Sequence, residues 1–118
     1  MSKLNVIFED NHLLVIDKPP LLATMGSQPG EDSLYLQAQQ YLKEKYNKPG
    51  NVFVGVVSRL DSFVSGVVVL ARTSKAASRL SQQFRDGSVE KTYWAILPNS
   101  SGQSLSASGR LVDRVVKN

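Results

Sequence analysis

Two apolar runs rich in β-branched residues, Val54–Val57 and Val67–Leu70, flank a short polar centre that contains Arg59, Leu60, Asp61, Ser65 and Gly66. Runs of this length and composition predict buried strands joined through a polar loop. Upstream, Leu4 to Glu9 alternates and predicts a strand, Asp10-Asn11 a turn, and His12 to Asp17 an antiparallel partner, stopped by Lys18-Pro19-Pro20 because proline donates nothing to a ladder. Leu21 to Glu31, with Gly26, Pro29 and Gly30, predicts a loop that either lines a cleft or crosses the surface. Leu34, Ala38, Tyr41 and Leu42 then recur at helical spacing behind a cap at Asp32 or Ser33, and Lys48-Pro49-Gly50 ends the helix. A second helix follows a cap at Thr73 or Ser74, with Ala76, Ala77, Leu80 and Phe84 on one face and Asp86-Gly87 at its close. Val89 to Leu97 alternates again and predicts a strand, with Val89, Lys91, Tyr93 and Ala95 on one face. Ser- and Gly-rich residues from Pro98 to Ser108 predict a loop, and Gly109 to Asn118 the entry to further structure. The elements sum to an α+β fold, a mixed, mainly antiparallel sheet with two helices packed on it.

Length and composition narrow the chemistry. At 118 residues with 42% hydrophobic content, one domain with a real core is expected. There is no cysteine and only one histidine, His12, which removes disulfides, thiolate chemistry and cysteine or multi-histidine metal sites. Apolar runs fall short of the ~20 residues of a membrane span, and Met1 to Asn5 has no signal-peptide pattern, so a soluble protein of the cytoplasm is expected. The net charge of +4 permits a polyanionic partner such as RNA. Arg72, Lys75, Arg79 and Arg85 form a basic edge, read either as a solvated helix face or as one that contacts phosphate.

The polar centre offers the candidate chemistry. Residues i and i+2 of an extended chain point the same way, so Arg59 and Asp61, if extended, can meet. A carboxylate beside a guanidinium stays ionised and can act as nucleophile, base or metal ligand, or form only a structural ion pair. Other motifs fail. No phosphate-cradling Gly-rich loop and no Gly-x-Gly-x-x-Gly is present. Gly26-Ser27-Gln28 lacks the context of a nucleophile elbow, and Asp17, beside Lys18, suggests a strand-end ion pair rather than a carboxylate partner of Asp61.

Taken together and in order, several segments resemble the RluA-type pseudouridine synthases. Phe8 to Pro19 resembles the family's opening strand pair ending in Asn/Asp-Lys-Pro. Arg59-Leu60-Asp61 with Ser65-Gly66 resembles the central motif His-Arg-Leu-Asp-x-x-Thr-Ser-Gly, with Ser58 and Val64 in place of its histidine and threonine. Ala71 to Ala77 with Phe84 resembles the helix that follows, and Val89 to Ala95 the Lys-x-Tyr strand. The likeness spans residues 6–97 and implies an N-terminal portion of a catalytic domain, with its second half absent from residues 1–118. It implies isomerisation of uridine to pseudouridine in ribosomal or transfer RNA, with Asp61 as essential carboxylate and no cofactor. Arg59 would pair with Asp61 in the free protein and swing into the place of the flipped uridine. Tyr93 would stack on the base or move a proton, and Lys91 would shape the same face or touch phosphate. The alternatives are a catalytically silent RNA-binding relative, an inactive fragment, and a small structural protein in which Arg59–Asp61 is an ion pair. Truncation would leave a sheet edge near Leu111 to Val116 unpaired, open to dimerisation or a strand swap.

Overall fold

The computed structural model describes residues 4–98. The expected loop beyond Pro98 and the sheet edge near Leu111 to Val116 lie outside the described residues.

Four strands, β1 (Val6–Glu9), β2 (Leu13–Lys18), β3 (Gly55–Val56) and β4 (Gly66–Ala71), form one sheet in the order β1-β2-β4-β3. All three pairings among the described residues are antiparallel. The β2–β4 register sets Leu14 opposite Leu70 and Ile16 opposite Val68, so by alternation all four share one face, and all four are buried. Helix α1 (Leu34–Lys45) covers that face with Leu34, Ala38 and Leu42, one residue per turn, and Val52 and Val54 complete the core. Each large aliphatic side chain so buried contributes about 1.5–3 kcal/mol. Ser33 caps α1, its hydroxyl accepting from the Leu36 amide at 3.2 Å.

Helix α2 (Ser74–Asp86) approaches the opposite face, where Ala71 points. Gly55 makes this approach possible, because a Cβ there would stand 2.9 Å from Ala77 Cβ and 3.2 Å from Ala71 Cβ. Thr73 caps α2 and the left-handed Gly87 ends it, as the sequence predicts. Glu9 ties β1 to the end of α1 and to Arg72, just beyond β4: it accepts from Tyr41 Oη (2.6 Å), Lys45 Nζ (3.0 Å) and Tyr46 Oη, and Arg72 Nη1 lies 3.7 Å away. Burial pushes the Glu9 carboxyl upward, but the Tyr41, Tyr46 and Lys45 bonds and the Lys45 charge outweigh it and hold the carboxyl at about 2.

Three expectations are corrected. Val54 to Val57 forms only the two-residue β3, and Val89 to Leu97 joins no ladder. Alternation marks a segment able to be a strand, but among the described residues no neighbour pairs with this one, and Trp94 and Ile96 are 97% and 100% exposed. Arg72, expected on an open basic edge, is instead an internal tie. It donates to the Asp10 carbonyl at 2.6 Å and stacks 4.5 Å over the Tyr46 ring.

Candidate active site

Beyond Val56 the chain leaves the sheet, and the segment from Ser58 to Ser65 returns it to β4. Its return depends on Gly66, whose φ of 150° is outside the range ordinary side chains adopt. Because a four-stranded ladder no longer holds this segment, side chains and loop atoms do so.

Lys18, the last residue of β2, is the principal holder. It is fully buried, and its ammonium donates to the carbonyls of Pro19 (2.9 Å), Leu22 (2.6 Å) and Ser62 (3.3 Å). Burial pushes its pKa down, and the nearby negative charge of Asp61 opposes that shift. The Leu21 amide also reaches the Ser62 carbonyl, an approach made with Leu21 at a φ of 69°. The sequence predicts Lys18 as part of a strand stop and as a partner for Asp17. The pair with Asp17 does not form. Lys18 faces the loop carbonyls, and Asp17 is exposed, 3.4 Å from Asn5 Nδ2. Two chain-adjacent strand residues point to opposite faces, which separates them.

Asp61 begins a turn. Its carbonyl accepts from the Val64 amide at 3.0 Å, and its Oδ1 accepts from the Phe63 amide at 2.9 Å, an Asx-type turn. Oδ2 has no hydrogen-bond partner among the described residues. One oxygen therefore fixes the carboxylate direction, and the other is open to a ligand. Arg59 is exposed, with Nη2 3.5 Å from Met25 Sδ.

The expected Arg59–Asp61 ion pair is absent. Both ion pairs among the described residues involve Glu9. The i, i+2 rule applies inside a strand, whereas Asp61 already belongs to a turn, so the two side chains diverge. The buried Lys18 ammonium, held on the loop carbonyls, feels the negative charge of Asp61 without forming an ion pair with it.

A cleft of about 520 Å³ opens beside this turn, on the α2 side of the sheet. Its walls include Arg59, Leu60, Gly66, Phe84, Lys91 and Tyr93. Lys91 stands 5.4 Å over the Phe84 ring. Three of the four predicted site residues, Arg59, Lys91 and Tyr93, thus line one cleft of the size that takes small molecules. Asp61 does not line it but occupies the turn between Leu60 and Val64, which do. No group of three or more potential metal ligands occurs among the described residues. The geometry offers a carboxylate with one open oxygen, two exposed cations, and an aromatic ring able to stack on a planar group.

The chain matches the family model described as RNA pseudouridylate synthase over residues 12–117. It is 36% identical over 105 residues to the dual-specificity RNA pseudouridine synthase RluA of Haemophilus influenzae, covering 85% of this chain and 44% of that protein. It is 35% identical over 96 residues to the ribosomal large subunit pseudouridine synthase D of Zymomonas mobilis, covering 80% of this chain and 30% of that one. The chain therefore spans less than half the length of these relatives. In structure, it resembles human RNA pseudouridylate synthase domain containing 4, with a TM-score of 0.58, 24% identity, and coverage of 70% of this chain and 30% of that one.

Proposed function

The chain belongs to the RNA pseudouridylate synthase family, and from that premise we propose that it is the N-terminal portion of a catalytic domain that isomerises uridine in ribosomal or transfer RNA in the cytoplasm. The observation that carries this reading is the cleft that gathers Arg59, Lys91 and Tyr93 beside the Asp61 turn.

The reaction breaks the bond between ribose carbon 1 and uracil nitrogen 1. The base turns over, carbon 5 bonds to the same ribose carbon, carbon 5 loses its proton, and nitrogen 1 gains one. Such an exchange needs no net oxidation, and a single well-placed carboxylate can serve it. Asp61 is that carboxylate, its open Oδ2 acting on the ribose or accepting the proton. The uridine must leave its stack to reach the cleft, at a cost of a few kcal/mol. Stacking on Tyr93 offsets about 1–3 kcal/mol of that cost. Arg59, free of any ion pair among the described residues, fills the space the base vacates, and Lys91 meets a phosphate or the edge of the base.

Tritium release from RNA labelled at uracil carbon 5 tests the proposal, because that hydrogen leaves only if the new carbon–carbon bond forms. Release by the chain and none by Asp61→Asn is the expected result. Equal release by both would remove Asp61 from the chemistry, and RNA binding without release from either folded protein would leave a silent binder. Concentration-dependent dimerisation through an unpaired sheet edge belongs to the same proposal, and sedimentation over a wide concentration range checks it.

A further inference from the structure

Leu60 lies between Arg59 and Asp61, beyond the end of β3, where no ladder strand bonds it. Its backbone is nevertheless fully engaged, by one side chain. The Thr24 hydroxyl donates to the Leu60 carbonyl at 2.8 Å and accepts from the Leu60 amide at 3.0 Å. A hydroxyl can do both at once because it carries one donor hydrogen and two acceptor lone pairs.

Thr24 is itself rigidly placed. It is 3% exposed. Its carbonyl accepts from the Tyr35 amide at 3.0 Å, and the neighbouring Ala23 carbonyl accepts from Leu34 at 2.8 Å. These are first-turn amides of α1, which lack partners within the helix. The helix that anchors the core therefore fixes the loop, and the loop fixes Leu60. The Leu60 side chain packs against the core and meets the position a Gly66 Cβ would take at 3.4 Å, so both its backbone and its side chain are held.

We propose that Thr24 is a positioning residue for Asp61: by holding both polar groups of the Leu60 backbone, its hydroxyl sets the direction in which the Asp61 carboxylate leaves the chain. The proposal rests on the function proposed above but has a readout that needs no turnover. Two amides report on it. That of Leu60 bonds Thr24 directly, and that of Phe63 bonds Asp61 Oδ1 at 2.9 Å, so its protection follows the carboxylate direction.

The test compares Thr24→Val, which keeps the shape without the hydroxyl, with Thr24→Ser, which keeps the hydroxyl without the methyl. Amide hydrogen exchange is followed by NMR for Leu60 and Phe63 against the core amides of Leu14, Ile16 and Leu70. Loss of the clamp in Thr24→Val should speed exchange of both Leu60 and Phe63 about tenfold relative to the core, with Thr24→Ser near native. In the tritium assay, kcat should fall about tenfold in Thr24→Val with KM little changed, and Thr24→Ser should restore it. If Thr24→Val does not fold, Thr24→Cys, with its weak thiol donor, is read the same way. Unchanged Phe63 exchange would overturn the proposal, as would a uniform rise at all amides or a Thr24→Ser protein no better than Thr24→Val. Absence of tritium release from the native chain would count against the proposed function alone, and the amide arm would still decide the role of Thr24.

Discussion

Lys18→Met should destabilise the fold by about 2 kcal/mol, and the figure follows from where the ammonium points. Methionine preserves the length and apolar stem of the side chain but removes three donated bonds, to the Pro19, Leu22 and Ser62 carbonyls. The Ser62 carbonyl keeps the Leu21 amide, so it is not orphaned. The Pro19 and Leu22 carbonyls lose the one partner each has among the described residues. A buried acceptor left unsatisfied costs about 1–3 kcal/mol. Pro19 is exposed, so water recovers part of its share, whereas Leu22 is half-buried and loses more. Against these losses stands relief from burying a charge, the same penalty that pushes the Lys18 pKa down. The balance is a net loss of about 2 kcal/mol, a large fraction of the ~5–15 kcal/mol that holds a domain folded. Urea unfolding followed by circular dichroism should show the midpoint falling by about 1 M with an unchanged slope. A midpoint equal to the native one would refute the view of Lys18 as the holder of the loop. A midpoint above the native one would mean that the desolvation penalty outweighs all three bonds.

Two further outcomes follow from the described geometry. Holding Glu9 at about 2 rather than 4.5 corresponds to about 3 kcal/mol of stability, present in full above the unfolded pKa and lost as pH falls through the folded one; the native protein should lose that advantage over Glu9→Gln between pH 4.5 and 2 in urea titrations, and parallel profiles would refute it. Lys75 and Arg79 are exposed on α2 and make no ion pair among the described residues, so if that face meets RNA, the double change to alanine should weaken binding and flatten the plot of log K against log salt by about 1.4, at about 0.7 per phosphate contact on a single strand. An unchanged slope would make it a solvated face.

Legibility in the sequence followed the range of the interaction. Leu34, Ala38 and Leu42, Ser33 and Thr73, and the run from Val67 to Leu70 were readable because spacing and capping are local rules, and each does locally what the structure shows. Gly55 was not singled out, since its requirement comes from Ala77, on an element over twenty residues away. The segment from Val89 to Leu97 has the alternation of a strand, but pairing belongs to two segments, and alternation in one does not supply the other. Of the candidate site residues, Arg59, Lys91 and Tyr93, the last two named through the family resemblance, share a cleft. The expected pairing of Arg59 with Asp61 does not form, because i, i+2 geometry does not carry across a strand end. The holding roles of Lys18 and Thr24 were not legible for a common reason. Each acts on backbone atoms some forty residues away, and a backbone carbonyl or amide has no sequence signature. The one available signal was Lys18 itself, a lysine closing an otherwise apolar strand, where its stem alone is at home and its head must find acceptors.

Separating Arg59 from Asp61 changes what the site can do. In a paired arrangement, Arg59 must give up its carboxylate before it can move, and Asp61 must give up Arg59 before it can meet a substrate. Here Asp61 is in no ion pair among the described residues, and the Lys18 ammonium that feels its charge is fixed by three carbonyls. Asp61 therefore gives up no ion pair to meet a ligand, and its Oδ2 is open while Oδ1 holds the Phe63 amide. Arg59 rests only against a thioether, a contact of neutral, weakly accepting character, so its displacement breaks no ion pair. In the proposed reaction, that division lets the guanidinium take the place of a departing base without disturbing the carboxylate that acts on it. The groups that must stay still and the group that must move are held by different parts of the chain: Lys18 and Thr24 grip the backbone beneath, and Arg59 extends from it.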